Sequence, residues 1–189
     1  YETIISDNSV DNYSNSNSNR GGGIYFYHGN LIMQHSEIRR NTAVLGGGLY
    51  EHSGSNMILQ NTLIADNHAG ERGGGLYFNE YDPIFTNFTL VNNTATYQGS
   101  GLYTDEEVFP VFINSIIWGN QSADGAHIYL SSGSEIILNY NDIQSGLAGI
   151  IGFDDIVYNN NIDVDPLFIS NDDQNYELQV TSPCIDAGN

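Results

Sequence analysis

The chain has 189 residues, 40 % of them hydrophobic, which is enough for one domain with a core. Its net charge of −19 comes from 23 acids against four arginines and no lysine. That excludes the cationic face that nucleic acid or anionic lipid demands. The charge is uneven: Arg20, Arg39, Arg40 and Arg72 precede residue 73, while residues 105 to 189 carry 14 acids and no arginine. The plain reading is a soluble, self-repelling surface, and the sharper one is a surface that attracts cations. No apolar run is long enough to cross a bilayer, so direct membrane insertion is not expected. Cys184 stands alone, so no internal disulfide can form. The start at Tyr1, with no signal peptide, is expected of a processed protein or an excised piece of a longer one.

The chain opens in a strand that ends Ile5-Ser6-Asp7-Asn8, followed by a low-complexity Asn/Ser run that reads as a loop insertion over residues 11–20. Next comes Gly21-Gly22-Gly23-Ile24-Tyr25, a phrase that returns ending at Tyr50, Tyr77, Tyr103 and Tyr129. The spacings are 25, 27, 26 and 26 residues, the signature of a solenoid whose repeats bury their apolar sides only by stacking. A second phrase, Ile or Leu then two free positions and Asn, ends at Asn41, Asn67, Asn93 and Asn120. A third is a short apolar strand, as in Leu31-Ile32-Met33 and Met57-Ile58-Leu59, with His35, Asn61, Asn87, Asn114 and Asn139 near its end. Three short strands in each ~26-residue coil, with no helical period, predict an all-β, single-stranded, right-handed parallel β-helix of about seven coils.

Strand alternation assigns roles within each coil. Ile24, Leu49, Leu76, Leu102 and Ile128 should point into the core, so the tyrosines beside them should point out. Tyr25, Tyr50, Tyr77, Tyr103 and Tyr129 then form an aromatic stripe. One use for it is a ladder covered by loops such as the 11–20 insertion; the other is a platform for sugars or a neighbouring molecule. Asn41, Asn67, Asn93 and Asn120 should form an amide ladder at a tight corner, tolerating left-handed backbone there. Arg40 and Asp66, which precede ladder asparagines in successive coils, suggest a cross-coil ion pair. After Asn139 the pattern decays. Residues 1–146 therefore read as coils, and 147–189 as a last coil plus a C-terminal cap that protects the open edge.

The Gly-Gly-Gly-Leu-Tyr and Ile-x-x-Asn repeats resemble those of bacterial surface β-helix proteins, including the polymorphic outer-membrane proteins and secreted adhesin-like proteins. The ending, Asp165-Pro166-Leu167-Phe168 and then Ser182-Pro183-Cys184-Ile185-Asp186-Ala187-Gly188-Asn189, is similar to the close of secreted bacterial β-helix proteins of the choice-of-anchor kind. The resemblance implies an extracellular, cell-surface setting and says little about activity.

Chemistry is hard to find. A lyase of this fold needs a basic Arg or Lys beside a carboxylate-bound cation, and a glycosidase needs converging acids. No such partner carboxylates recur beside Arg39, Arg40 or Arg72. Asp163 and Asp165, two apart on an extended segment, could chelate Ca²⁺, with Asp154 and Asp155 as further candidate ligands. The alternative for these aspartates is turn capping; no other cofactor is called for, and no catalytic residue is assigned. Two functions are expected in turn. The first is a structural or adhesive extracellular module that assembles with itself end to end into a filament or forms part of a larger surface protein, with other surface proteins or glycans as partners. The second is a carbohydrate-active β-helix enzyme.

Overall fold

The computed structural model describes residues 3–10, 19–53, 55–105, 107–152, 155–170 and 174–188. Its backbone winds into stacked coils whose strands pair in parallel with their equivalents one coil on. Sheet I holds the Ile-x-x-Asn strands: Ile4–Ser6, Glu37–Arg39, Leu63–Ala65, Thr89–Val91, Ile116–Trp118 and Asp142–Ile143. Sheet III holds the strands of the tyrosine phrase: Ile24–Phe26, Leu49–Glu51, Leu76–Phe78, Leu102–Thr104, Ile128–Leu130 and Ile150–Ile151. Sheet IV holds the apolar strands: Gly29–Gln34, Ser55–Gln60, Ile84–Thr86, Val111–Ile113, Ile136–Asn139 and Ile156–Asn159.

Three features differ from the sequence-based expectation. Each of these sheets is six strands deep, so first and last rungs are five turns apart and the coil count falls below seven. The last coil is also short: the ladder bond from Asn141 to Asn161 spans 20 residues instead of 26. A fourth column is present as well. Sheet II, made of Thr42–Leu45, His68–Arg72, Thr94–Ala95 and Gln121–Ser122, occupies the stretch between each ladder asparagine and the glycines that follow.

The core is a set of like-on-like stacks. Ile38, Ile64, Leu90, Ile117 and Ile143 line it from sheet I, and Leu49, Leu76, Leu102 and Ile128 from sheet III, all at 0 % exposure. Sheet IV contributes Met33, Leu59, Phe85, Phe112 and Leu138, with the Phe85 and Phe112 rings stacked 4.3 Å apart. Each such side chain adds about 2 kcal/mol by leaving water.

Corners are set by residue type. Gly73 opens its corner at φ +66°, and a Cβ on Gly74 would lie 2.3 Å from the Thr94 carbonyl oxygen. Only glycine fits where two coils approach that closely. At the sheet I corner the left-handed residues are Asp7, Arg40, Asp66 and Asn92, one position before the ladder asparagines rather than the asparagines themselves. The sheet IV corner places His35, Asn61, Asn87, Asn114, Tyr140 and Asn160 in the left-handed region. Asn139 instead pairs with Ile113 in the strand, so Tyr140, 26 residues after Asn114, takes the place in that column expected for Asn139.

The ladder itself is as expected. Nδ2 of Asn41 donates to Oδ1 of Asn67 at 3.1 Å, Asn67 to Asn93 at 2.9 Å, and Asn93 to Asn120 at 3.0 Å. Each Oδ1 also accepts the backbone N–H of the asparagine one rung before. Asn8 joins from 33 residues upstream, which places the 11–20 insertion between the first two rungs; residues 11–18 themselves lie outside the described residues.

After Ile162, which still bridges to Asp142 of sheet I, the chain leaves the coil. Phe168–Ser170 and Asn175–Leu178 form an antiparallel hairpin. It lies along the outer flank of sheet I, rather than across the end of the rod, with Phe168 and Tyr176 packed on Ala65, Val91 and Trp118.

Asn67 is fully buried and bonded on both sides, so Asn67→Ala should cost about 3 kcal/mol in urea unfolding. Gln34→Ala, at an exposed amide contact, should stay within about 0.5 kcal/mol.

Candidate functional site

The tyrosines leave the core as alternation requires, yet three of them do not reach solvent. Tyr50, Tyr77 and Tyr103 are 1 %, 4 % and 5 % exposed, Tyr129 is half-buried, and Tyr25 is 49 % exposed. Their rings stack in order from Tyr25 to Tyr129 at 5.7, 4.6, 4.9 and 5.3 Å. The stripe is therefore a second, outer core over its middle rungs, and only its Tyr25 end is a surface.

Its cover is built by the residue just before the first glycine of each coil. Arg20, Leu45, Arg72 and Gln98 form one cross-coil column beside the tyrosines. The Arg20 guanidinium lies 4.9 Å from the Tyr50 ring centroid, Arg72 lies 5.3 Å from that of Tyr103, and Leu45 packs between. A guanidinium over a ring face is attracted by its quadrupole while its stem excludes water. The Tyr77 hydroxyl donates to Oδ2 of Asp105 at 2.8 Å. Burial pushes Tyr50 up to about 12, and burial with the Asp105 charge pushes Tyr77 up further, so both phenols stay neutral. Long side chains before the glycines were the sequence signal for this cover, and it was not read as one.

The exposed end of the stack is broader than the tyrosine column. The His52 ring lies 6.2 Å from Tyr25 and 5.1 Å from Tyr27, which is 55 % exposed. His28 packs edge-on against Tyr27 at 4.4 Å. Tyr25, Tyr27, His28 and His52 thus present a contiguous aromatic patch at the first rungs. Tyr27, His28 and His52 were not anticipated as a group, because they fall outside the repeated phrase.

The acidic candidates are dispersed by comparison. Asp163 accepts the Ser145 N–H at 3.1 Å from the coil before, and Asp165 caps its own turn by accepting the Leu167 N–H at 2.9 Å. Asp155 is exposed beside sheet IV, and Asp154, like Asp172 and Asp173, lies outside the described residues. Among the described residues no group of three His, Cys, Asp or Glu is arranged to hold a metal ion.

Two other aspartates clasp the C-terminal segment to sheet I. Asp66 accepts from the Tyr176 hydroxyl at 2.6 Å, and Tyr176 in turn accepts from Asn92 at 3.0 Å. Arg40 therefore pairs elsewhere than expected. It makes a two-pronged contact with Asp7, at 2.7 and 2.8 Å, and reaches Gln174 of the hairpin at 3.1 Å. Asp7 precedes it in the same corner column, whereas Asp66 is occupied by the hairpin. The Arg40 hydrogen bonds hold the Asp7 carboxyl down to about 2.

Farther along, the Cys184 thiol donates to Oδ2 of Asp142 at 3.0 Å, at one wall of a cleft of about 310 Å³. Asn87, Asn114, Asn160 and Gly188 also line it. Burial, and then Asp142, push the thiol up to about 12, so it is no thiolate nucleophile at neutral pH.

These coils, ladders and corners define a right-handed parallel β-helix protein. The chain belongs to the family whose model, described as the right handed beta helix region, matches residues 2–143. Neither a curated protein nor a solved structure matches it.

Because Tyr77 is sealed in the outer core, Tyr77→Ser should cost about 3 kcal/mol in denaturant unfolding, as a buried large-to-small change. Tyr77→Phe keeps the stack and loses the Asp105 bond, costing about 1 kcal/mol.

Proposed function

We propose that the chain is a non-catalytic structural and adhesive module of an extracellular or cell-surface protein, and that it contacts glycans through its exposed aromatic patch. The observation that carries this reading is the exposure of Tyr25 and Tyr27, 49 % and 55 %, beside His52 on a rigid coil. Flat rings with a polar edge suit sugar faces, and a preformed stack loses little freedom on binding.

The disposition of the basic side chains supports a non-catalytic role over a lyase. Arg20 and Arg72 lie on tyrosine rings and Arg40 is held by Asp7. Nε of Arg39 lies 3.3 Å from Glu37, an ion contact without hydrogen-bond geometry. Asp66 and Asp142, whose carboxyls burial raises, are each engaged in holding the C-terminal segment in place. The acidic remainder of the surface keeps the rod soluble.

A glycan array probed with the parent chain and with Tyr25→Ser/Tyr27→Ser tests this. The double variant should lose binding by roughly tenfold or more, a change of about 1.4 kcal/mol, with its melting temperature unchanged. Release of sugar ends from any arrayed polysaccharide would overturn the non-catalytic reading. Undiminished binding by the variant would overturn the patch.

A further inference from the structure

The three six-stranded sheets treat their outer sides differently. The C-terminal hairpin covers sheet I, and the arginine-sealed tyrosine stack lies on sheet III. On sheet IV the outward column reads Ile32, Ile58, Ile84, Val111, Ile137 and Val157, in register on successive strands. Ile32 is 63 % exposed, Ile84 56 %, and Ile58, Ile137 and Val157 about 40 % each, with Val111 half-buried between them. This is an uninterrupted β-branched stripe along the full length of the rod. It has a pleated surface and no aromatic ring, so it suits another sheet rather than a sugar.

We infer that this stripe is the contact face of a homodimer in which two rods lie side by side, sheet IV on sheet IV. Two observations select a second copy of this chain as the occupant. The first is period: the stripe repeats once per rung over six rungs, and a partner with the same rung spacing meets it at every step. The second is charge. One border of the stripe carries Asp82, Glu135 and Asp155 with the exposed Phe109 beside Asp82, while the other carries Gln34, Gln60, Thr86, Ile113, Asn139 and Asn159 and no charge.

A two-fold axis parallel to the rods lays each acidic border over the partner's amide border. An axis along the strands would stack acids on acids, which a chain of net charge −19 disfavours. Both rods therefore point the same way, and each stripe residue faces its own copy. Six rungs at ~4.8 Å and three outward columns give roughly 600 Å² per copy, near the lower limit for a specific interface. A reversible, micromolar dimer follows. This inference does not depend on the glycan reading, since the patch, on Tyr25 and the turns that lead into sheet IV, shares no residue with the stripe.

Sedimentation of the full chain up to about 100 μM should show a monomer–dimer equilibrium, since a micromolar interface is mostly occupied there. Ile58→Lys/Ile84→Lys should be monomeric at the same concentration, with circular dichroism and melting unchanged because both sites are exposed. In a Cys184→Ser background, Ile32→Cys should oxidise to a self-linked dimer. Three outcomes would overturn the proposal: a parent chain that stays monomeric, a dimer that survives the lysine pair, or Ile32→Cys that links to Val157→Cys and not to itself.

Discussion

The interaction on which the rest of the structure depends is the buried column of asparagine side chains at the sheet I corner. Asn41, Asn67 and Asn93 are fully buried, where an unpaired amide would cost several kcal/mol. Each is satisfied only when the next coil presents its own asparagine one rung away and the preceding coil a backbone carbonyl, as Ile38 does for Asn67. That requirement fixes the rise and register of the coils together. A slip of one residue would leave amides unpaired and turn the Ile38, Ile64 and Leu90 stack toward solvent. The left-handed residue before each ladder asparagine and the glycines at the next corner follow from the same closure, because the chain must turn sharply without losing the ladder.

Once the coil is closed, its flanks become separate problems. Sheet I is covered by the C-terminal segment, held by hydrogen bonds from Tyr176 and Cys184 to Asp66 and Asp142 across 110 and 42 residues. Sheet III is covered by stacked tyrosines, themselves sealed by Arg20 and Arg72. Half of the chain's few cations are spent there, so the remaining surface is strongly acidic. Sheet IV is left bare along its isoleucine column. Rigidity comes from the ladder and core, and the surfaces that face outward are consequences of which flank is covered by what.

Much of this was legible in the sequence because a solenoid repeats its physics. The Leu49, Leu76 and Leu102 column and the Asn41 to Asn120 ladder are each visible as a period, and both are found where the period puts them. What failed was whatever the period does not encode. Tyr50, Tyr77 and Tyr103 do point away from the core, but alternation is silent on whether side chains such as Arg20, Leu45 and Arg72 will cover them. Asn139 was misplaced by one because residue type was followed over the period, which puts Tyr140 26 residues after Asn114, and Tyr140 accepts a left-handed conformation that asparagine takes in the coils before. The hairpin's return to Ala65 and Val91 is a non-local contact of two aromatic residues, Phe168 and Tyr176, with no repeat to announce it.

The central claim, that the asparagine ladder locks the coils into one cooperative unit, is tested most directly by native-state hydrogen exchange of the side-chain amides. The Nδ2 protons of Asn67 and Asn93 should exchange only on global unfolding. Those of Asn87, whose amide contact with Asn61 is exposed, should exchange at least about a hundredfold faster. Equal exchange at the two corners would contradict the account, because the ladder would then be ornament on a core that holds itself.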